Sequence, residues 1–290
     1  MILYYAMGGG LGHLTRARAV LHTLRLTERA TLLTASPYAD DPRVTGGLPV
    51  RKVPSGLAAD VPAYRAWLAR LLDELRPTAL YLDTFPAGIR GELCDFPALA
   101  RLPVHYLARL LRWAEYAKLI TNAPVRLQTT YVLEPLAPAH AAFVARHSAR
   151  SVPLTLREPP RTATDEAARV LVEPLTRDGR TFWLVVHSAP CAEVAELVAY
   201  ADELRRLEQP EARLVLLTRA APPALPAAVR RLDFYPAAAL FPFAARVVSA
   251  CGFNVMREMA AHRHKHRFMP FPRRFDDQFA RAASHQLNGS

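Results

Sequence analysis

The chain has 290 residues, 51% of them hydrophobic, with 37 Lys and Arg against 26 Asp and Glu and a formal net charge of +11. This length predicts two domains at roughly 100–200 residues each, and no apolar stretch approaches the roughly 20 residues of a membrane span. The three cysteines, Cys94, Cys191 and Cys251, are far apart and show no C-x-x-C spacing, so neither a disulfide framework nor a zinc site is suggested, and a cytoplasmic setting is expected.

The apolar run 2–7 predicts a buried strand. No basic region precedes it, so a first strand is expected rather than a signal peptide. It meets Gly8-Gly9-Gly10-Leu11-Gly12-His13, and Leu14-Thr15-Arg16-Ala17-Arg18-Ala19-Val20-Leu21 behind it predicts a helix. Strand, glycine loop and helix open a nucleotide-type α/β domain, although the loop is neither G-x-G-x-x-G nor a Walker sequence. Glycines there allow close backbone approach to a bound group. The helix start offers N–H groups, and His13 at its mouth can move a proton near neutral pH.

Further strands are predicted at residues 30–35, 50–53, 79–83, 104–107, 129–133 and 151–156. A helix is predicted over 64–75, where Trp67, Leu68, Leu71, Leu72 and Leu75 repeat at helical spacing. Asp83 closes its strand ahead of Thr84-Phe85-Pro86, placed for the acceptor side, to orient His13, or merely to cap the next turn. The stretch Leu107-Ala108-Arg109-Leu110-Leu111-Arg112-Trp113 has the make-up of an interfacial helix, or of an amphipathic helix packed on the sheet. Pro159-Pro160 among polar residues marks a linker, giving domains 1–158 and 159–290. The pattern then restarts, with strands at 182–187, 213–218, 232–235, 246–250 and 267–269, helices at 191–207, 254–262 and 275–287, and a proline-rich tract at 220–226. His262, His264 and His266 alternate with Arg263 and Lys265, which favours a solvated basic loop over a metal site. The fold class is therefore α/β, two Rossmann-like parallel-sheet domains facing a cleft.

A second constellation is Val247-Val248-Ser249-Ala250-Cys251-Gly252-Phe253-Asn254-Val255-Met256-Arg257-Glu258, followed by Pro270-Phe271-Pro272-Arg273-Arg274-Phe275-Asp276-Asp277-Gln278. Both loops fall at carboxyl ends of strands, where such sheets bind ligands. Together with the first loop they resemble the GT-B glycosyltransferases, in particular the MurG-like (family 28 type) group that uses UDP-N-acetylglucosamine. Gly8–His13 is similar to that group's Gly-Gly-Thr-Gly-Gly-His loop, with Gly10 and Leu11 departing from it. The resemblance implies His13 as the base for an acceptor hydroxyl and Glu258 on the donor ribose. It implies Asp277 and Gln278 on the donor sugar, Tyr235 at the nucleobase, and Gly252 and Asn254 in the donor loop. His187-Ser188-Ala189-Pro190 stands where the group has a Gly-Gly-Ser diphosphate loop. Ser188 is retained, the glycines are not, and Pro190 lacks an N–H. Gly9, Gly10, Gly12 and Arg273 are expected to meet phosphate or acceptor. The family's closing helix fades here into Asn288-Gly289-Ser290.

The expected activity is transfer of a sugar from a nucleotide diphosphate, UDP-linked and carrying N-acetylglucosamine on the resemblance, to a hydroxyl with inversion. His13 would act as base, with Asp83 beside it. No cofactor beyond the nucleotide sugar and no metal is expected, since helix N-termini can serve the diphosphate. The alternatives are a nucleotide-sugar hydrolase or epimerase on the same fold, and a non-catalytic nucleotide-sugar or nucleic-acid binding protein. Excess Arg suits an anionic partner, and compositional bias explains it equally well. A lipid-linked acceptor at the inner, anionic membrane surface fits the charge; nucleic acid is disfavoured.

Overall fold

The computed structural model describes residues 1–188, 190–219 and 225–287. Ala189 of the expected diphosphate loop, residues 220–224 of the proline-rich tract and the terminal Asn288-Gly289-Ser290 lie outside the described residues. The chain forms two compact units. One comprises Met1–Pro159 with Arg274–Asp277, the other Pro160–Arg273 with Gln278–Ser290.

In the first unit, strands β1 (Ile2–Tyr5), β2 (Ala30–Thr34), β3 (Val50–Lys52), β4 (Ala79–Asp83), β5 (Val104–Ala108), β6 (Thr129–Val132) and β7 (Ser151–Pro153) form one sheet in the order β3-β2-β1-β4-β5-β6-β7. Every pairing is parallel. Helices α1 (Leu11–Thr23), α2 (Pro42–Thr45), α3 (Val61–Leu75), α4 (Trp113–Tyr116) and α5 (Pro138–His147) connect the strands. Alternate strand residues Leu3, Tyr5, Leu80 and Leu82 pack on Tyr64, Leu68, Leu71 and Leu72 of α3, as the period-two and period-3.6 patterns require. Asp60 starts α3 by accepting from Ala63 N at 3.0 Å.

The second unit repeats the device with a five-stranded parallel sheet. Its strands are β8 (Phe182–Val186), β9 (Arg213–Leu217), β10 (Val229–Leu232), β11 (Arg246–Ala250) and β12 (His266–Met269), in the order β10-β9-β8-β11-β12. Its helices are α6 (Thr162–Thr176), α7 (Cys191–Glu208), α8 (Phe253–Glu258) and α9 (Gln278–Leu287). Phe182, Leu184, Val215 and Val247 face α6 through Ala168, Val172 and Leu175. Trp183, Val185, Leu214 and Val248 face α7 through Val194, Leu197, Val198 and Ala201. Both faces are covered, so the central strands β8, β9 and β11 are mostly apolar.

In each sheet the chain runs outward from one strand and returns to its other side, at β1/β4 and at β8/β11. Such switch points open a crevice at the carboxyl ends of the strands. His13 follows β1 and Asp83 ends β4, while His187-Ser188 follows β8 and Cys251-Gly252 follows β11.

Some elements differ from expectation. Strand β10 ends at Leu232 instead of starting there; its Arg230 and Arg231 are exposed on an edge strand, where charge discourages pairing. Phe234 packs on the core from a loop. The helix expected over 254–262 ends at Glu258 and continues as a 3₁₀ segment, Met259–Lys265, with His262 out of helical geometry. His266 is buried and bonded to Ser249 Oγ at 2.8 Å, so the solvated basic loop ends before it. α9 starts at Gln278, because Phe275 is drawn into an aromatic cluster with Phe85 and Tyr116. The stretch 107–113 is not an interfacial helix. It is the end of β5 and a loop, with Leu107, Leu111 and Trp113 buried and Arg109 committed to polar partners. Among the described residues no helix is long and apolar enough to cross a membrane.

Candidate functional site

The N-terminal site is built on one buried carboxylate. Asp83 Oδ2 accepts from His13 Nδ1 at 2.5 Å and from Arg16 Nη2 at 2.6 Å. Oδ1 accepts from Arg16 Nε at 2.6 Å and from the Tyr4 hydroxyl at 3.3 Å. The Arg16 fork is bidentate, the strongest geometry such a pair adopts. Arg16 Nη2 also lies 3.2 Å from His13 Nδ1, but it is already spent on Asp83 and on Thr84 Oγ1 at 2.8 Å. The shorter contact therefore fixes the tautomer: Nδ1 carries the proton toward Asp83, and Nε2 keeps its lone pair.

Burial raises the Asp83 carboxyl, but Arg16 and His13 outweigh it and hold the group well below the usual carboxylate range. Burial lowers His13 from 6.5 more than Asp83 raises it, with Arg16 and Arg109 pushing the same way as burial. The imidazole is thus neutral at neutral pH and free to accept a proton.

Gly8 makes room for this ring. A Cβ at Gly8 would lie 2.2 Å from His13 Cδ2 and 2.3 Å from Nε2. Gly9 and Gly10 are exposed, with nothing within 4 Å of an added Cβ, and Gly12 is exposed in the first turn of α1. Thr84 holds a left-handed backbone, φ 75°, a strained state that persists where neighbours over-determine it. Its carbonyl accepts from the Tyr106 hydroxyl at 2.8 Å, and its Oγ1 accepts from Arg109 Nε at 3.0 Å as well as from Arg16. Arg109 in turn pairs with Asp276, from the segment that joins this unit. Beside the glycine loop lies a cavity of about 610 Å³ lined by Met7, Gly8, Lys52, Pro54, Ile89 and Arg90, among others. The loop bearing Ile89 and Arg90 is fastened from beneath by buried Glu92, which accepts from both backbone N–H groups and from the Tyr5 hydroxyl.

In the second unit, His187 Nε2 meets Glu193 Oε2 at 2.8 Å, and Arg273 forks onto the same carboxylate, its Nη1 2.5 Å from Oε1. The His187 ring stacks on Phe271, centroids 5.6 Å apart at 16°. Gln278 is buried; its Oε1 accepts from Cys251 N at 3.2 Å and Phe271 N at 3.0 Å, clasping the loops after β11 and β12. Gly252 caps α8, and an added Cβ there would meet nothing within 4 Å.

No protein-family model matches the sequence, and no curated protein sequence matches it. Solved structures do. The glycosyltransferase SnogD from Streptomyces nogalater matches with TM-score 0.55 at 16% identity, over 99% of this chain and 85% of that one. MurG from Acinetobacter baumannii matches with TM-score 0.52 at 15% identity, over 100% and 83%. A UDP-N-acetylglucosamine 2-epimerase from Rickettsia bellii matches with TM-score 0.55 at 11% identity, over 90% and 76%.

The chain has the GT-B fold.

Within this GT-B chain the first unit brings His13, Asp83 and the glycine loop together. The second places Ser188, Gly252 and Gln278 at or beside carboxyl ends of strands. Glu258 is the last residue of α8, 11% exposed at its side chain, with Arg257 at 3.5 Å. Asn254 is half-buried in the same helix. Tyr235 follows β10 with the Arg219 guanidinium 5.7 Å above its ring. Arg273, expected at phosphate, is paired with Glu193. Asp277 belongs to the segment that joins the first unit. Sequence reasoning missed Arg16, Arg109, Thr84 and the His187–Glu193 pair. Arg16 was detectable, three residues after His13 and hence on the same helix face.

Two outcomes follow for the first site. Asp83→Ala strands the Arg16 charge, 3% exposed, and should cost about 3–5 kcal/mol in urea unfolding. That contribution exists above the unfolded carboxylate value of about 3.9 and fades as pH falls below it. Gly8→Ala should leave the fold intact but displace the His13 ring, visible as loss of turnover with an unchanged circular dichroism spectrum.

Proposed function

We propose that the chain is a glycosyltransferase that moves a sugar from a nucleotide diphosphate to a hydroxyl acceptor. The observation that carries this reading is the His13–Asp83 pair. It is a neutral imidazole whose Nδ1–H is anchored on a buried carboxylate, set at the crevice of the first sheet beside a 610 Å³ cavity. A structural histidine needs none of this; a general base needs a fixed tautomer and a pKa below the working pH.

In this reading His13 Nε2 takes the proton of the acceptor hydroxyl as its oxygen attacks the anomeric carbon. The bond to phosphate breaks with its electron pair on the diphosphate, and one displacement inverts the centre. Asp83 holds the imidazolium in place as it forms, without itself taking the proton, as in other histidine–aspartate pairs. In the second unit, Glu258 takes the ribose hydroxyls, Tyr235 meets the base and Ser188 lies at the diphosphate. Gly252 and Asn254 shape the donor loop. Gln278 has spent its carbonyl oxygen on two backbone N–H groups, so it meets the sugar as a donor through its amide nitrogen. We take UDP as the donor's nucleotide, because similar structures include a UDP-N-acetylglucosamine 2-epimerase and a transferase from Siraitia grosvenorii in complex with UDP. The nucleotide sugar is the co-substrate, and no metal is required.

The epimerase neighbours favour one rival, a nucleotide-sugar epimerase or hydrolase. Donor consumption without acceptor separates the two: a transferase is nearly idle, whereas the rival turns over fully. With donor saturating, His13→Ala should lower turnover by about 10²–10⁴ while donor affinity stays near native. The native rate should fall with acid as His13 takes a proton. Because burial lowers that pKa, the fall lies below 6.5. Steady-state rates across pH check both, and a His13→Ala enzyme with native turnover contradicts the assignment.

A further inference from the structure

The second sheet repeats the composition of the first site. At β1/β4 stand His13, Asp83 and, from α1, Arg16; after β8 stands His187, met by Glu193 from α7 and Arg273 from the loop after β12. The function assigned above uses the first cluster and leaves His187 without a role.

The environment of His187 is specific. Burial pushes the Glu193 carboxyl up, but Arg273 and His187 outweigh this and hold it below its usual value, so Glu193 is a carboxylate. A carboxylate only accepts, so Nε2 of His187 carries a proton. Its other nitrogen, Nδ1, makes no hydrogen bond within the described residues. The ring is held flat against Phe271 and only 11% of its side chain is exposed, so it has little freedom to turn. Pro190, in the loop that His187 begins, has no N–H to offer. Arg273 is forked onto Glu193. Thus, among the described residues, the ring's second nitrogen is a fixed position without a partner at the switch point of the sheet.

We propose that His187 is a second catalytic residue, an imidazolium whose Nδ1–H bonds the donor's diphosphate and steadies it as the leaving group. This rests on the transferase reading. The ring takes a proton from solvent as the donor binds, since two negative charges within about 4–6 Å favour its charged form. When the anomeric carbon–oxygen bond breaks, the electron pair stays on the diphosphate oxygen and the Nδ1–H bond strengthens. The acceptor's proton goes to His13, so charge and atoms balance without a co-reactant. Glu193 and Arg273 are positioning residues, fixing the ring and its first proton.

The test is calorimetric titration with UDP-N-acetylglucosamine, whose phosphates are both esterified and do not titrate near neutrality. Burial lowers free His187, with Glu193 opposing and Arg273 reinforcing that shift. These are the two charged groups on it, Glu193 from α7, held below its usual value, and Arg273 from the loop after β12. Native affinity should fall about tenfold between about pH 6 and 8, the effect of roughly one unit of linked protonation. Titrations in two buffers of different ionisation heat should show proton uptake, a readout that needs no variant. His187→Gln keeps a donor for Glu193 but cannot charge. It should bind weakly at both pH values, take up no proton and lower kcat. Glu258→Ala should bind more weakly yet keep the pH dependence. Native binding that is tight, independent of pH and free of proton uptake would overturn the role of His187 and leave the transferase reading standing. No binding of UDP-, dTDP- or GDP-sugars at any pH would overturn the transferase reading, and this proposal with it.

Discussion

Asp83 is a carboxylate that water barely reaches, and the N-terminal site depends on its charge. It is 1% exposed and Arg16 is 3% exposed, so each is tolerable only because the other is there. That mutual need fixes three things together. It holds the carboxyl end of β4 against the first turns of α1. It selects the His13 tautomer with Nε2 bare. It recruits Thr84, whose left-handed backbone lets one hydroxyl accept from both Arg16 and Arg109. An apolar replacement of the pair would hold the strand and helix together equally well. What it could not do is orient an imidazole, and this is the physical reason to read the pair as functional.

Most of the architecture was legible because both sheets are parallel and covered on both faces. Parallel strands are short apolar runs, and most of the strands show as such runs alternating with helical patterns; β8 and β11 stand out in the sequence on this ground alone. Legibility failed where tertiary context decides. Arg230 and Arg231 hide an edge strand that tolerates charge because it is an edge. Phe275 looks helical until the aromatic rings of Phe85 and Tyr116 claim it. The run 107–113 looks amphipathic, yet Arg109 is buried and Trp113 stacks on His140, centroids 4.1 Å apart at 4°.

The candidate site divides in the same way. His13 and Asp83 could be named from the sequence, because a glycine loop and a strand end are local signals. Arg16 carried a local mark, three residues after His13, but its bonds to Asp83 and Thr84 join positions far apart in the chain, and the sequence does not mark that pairing. The glycine that matters most is likewise a tertiary matter: Gly8 must lack a Cβ because His13 lies on it, whereas Gly9 and Gly10 face open space. In the second unit the Gln278 oxygen clasps the loops after β11 and β12, a contact that only the folded chain brings together.

The account turns on the protonation state of His13. Nitrogen-15 NMR of the histidine rings, with His13 assigned by its loss in His13→Gln, reads both tautomer and pKa directly. The account predicts a neutral ring at pH 7 with its proton on Nδ1, titrating below 6.5. A ring protonated on Nε2, or one still charged at pH 7, would contradict it.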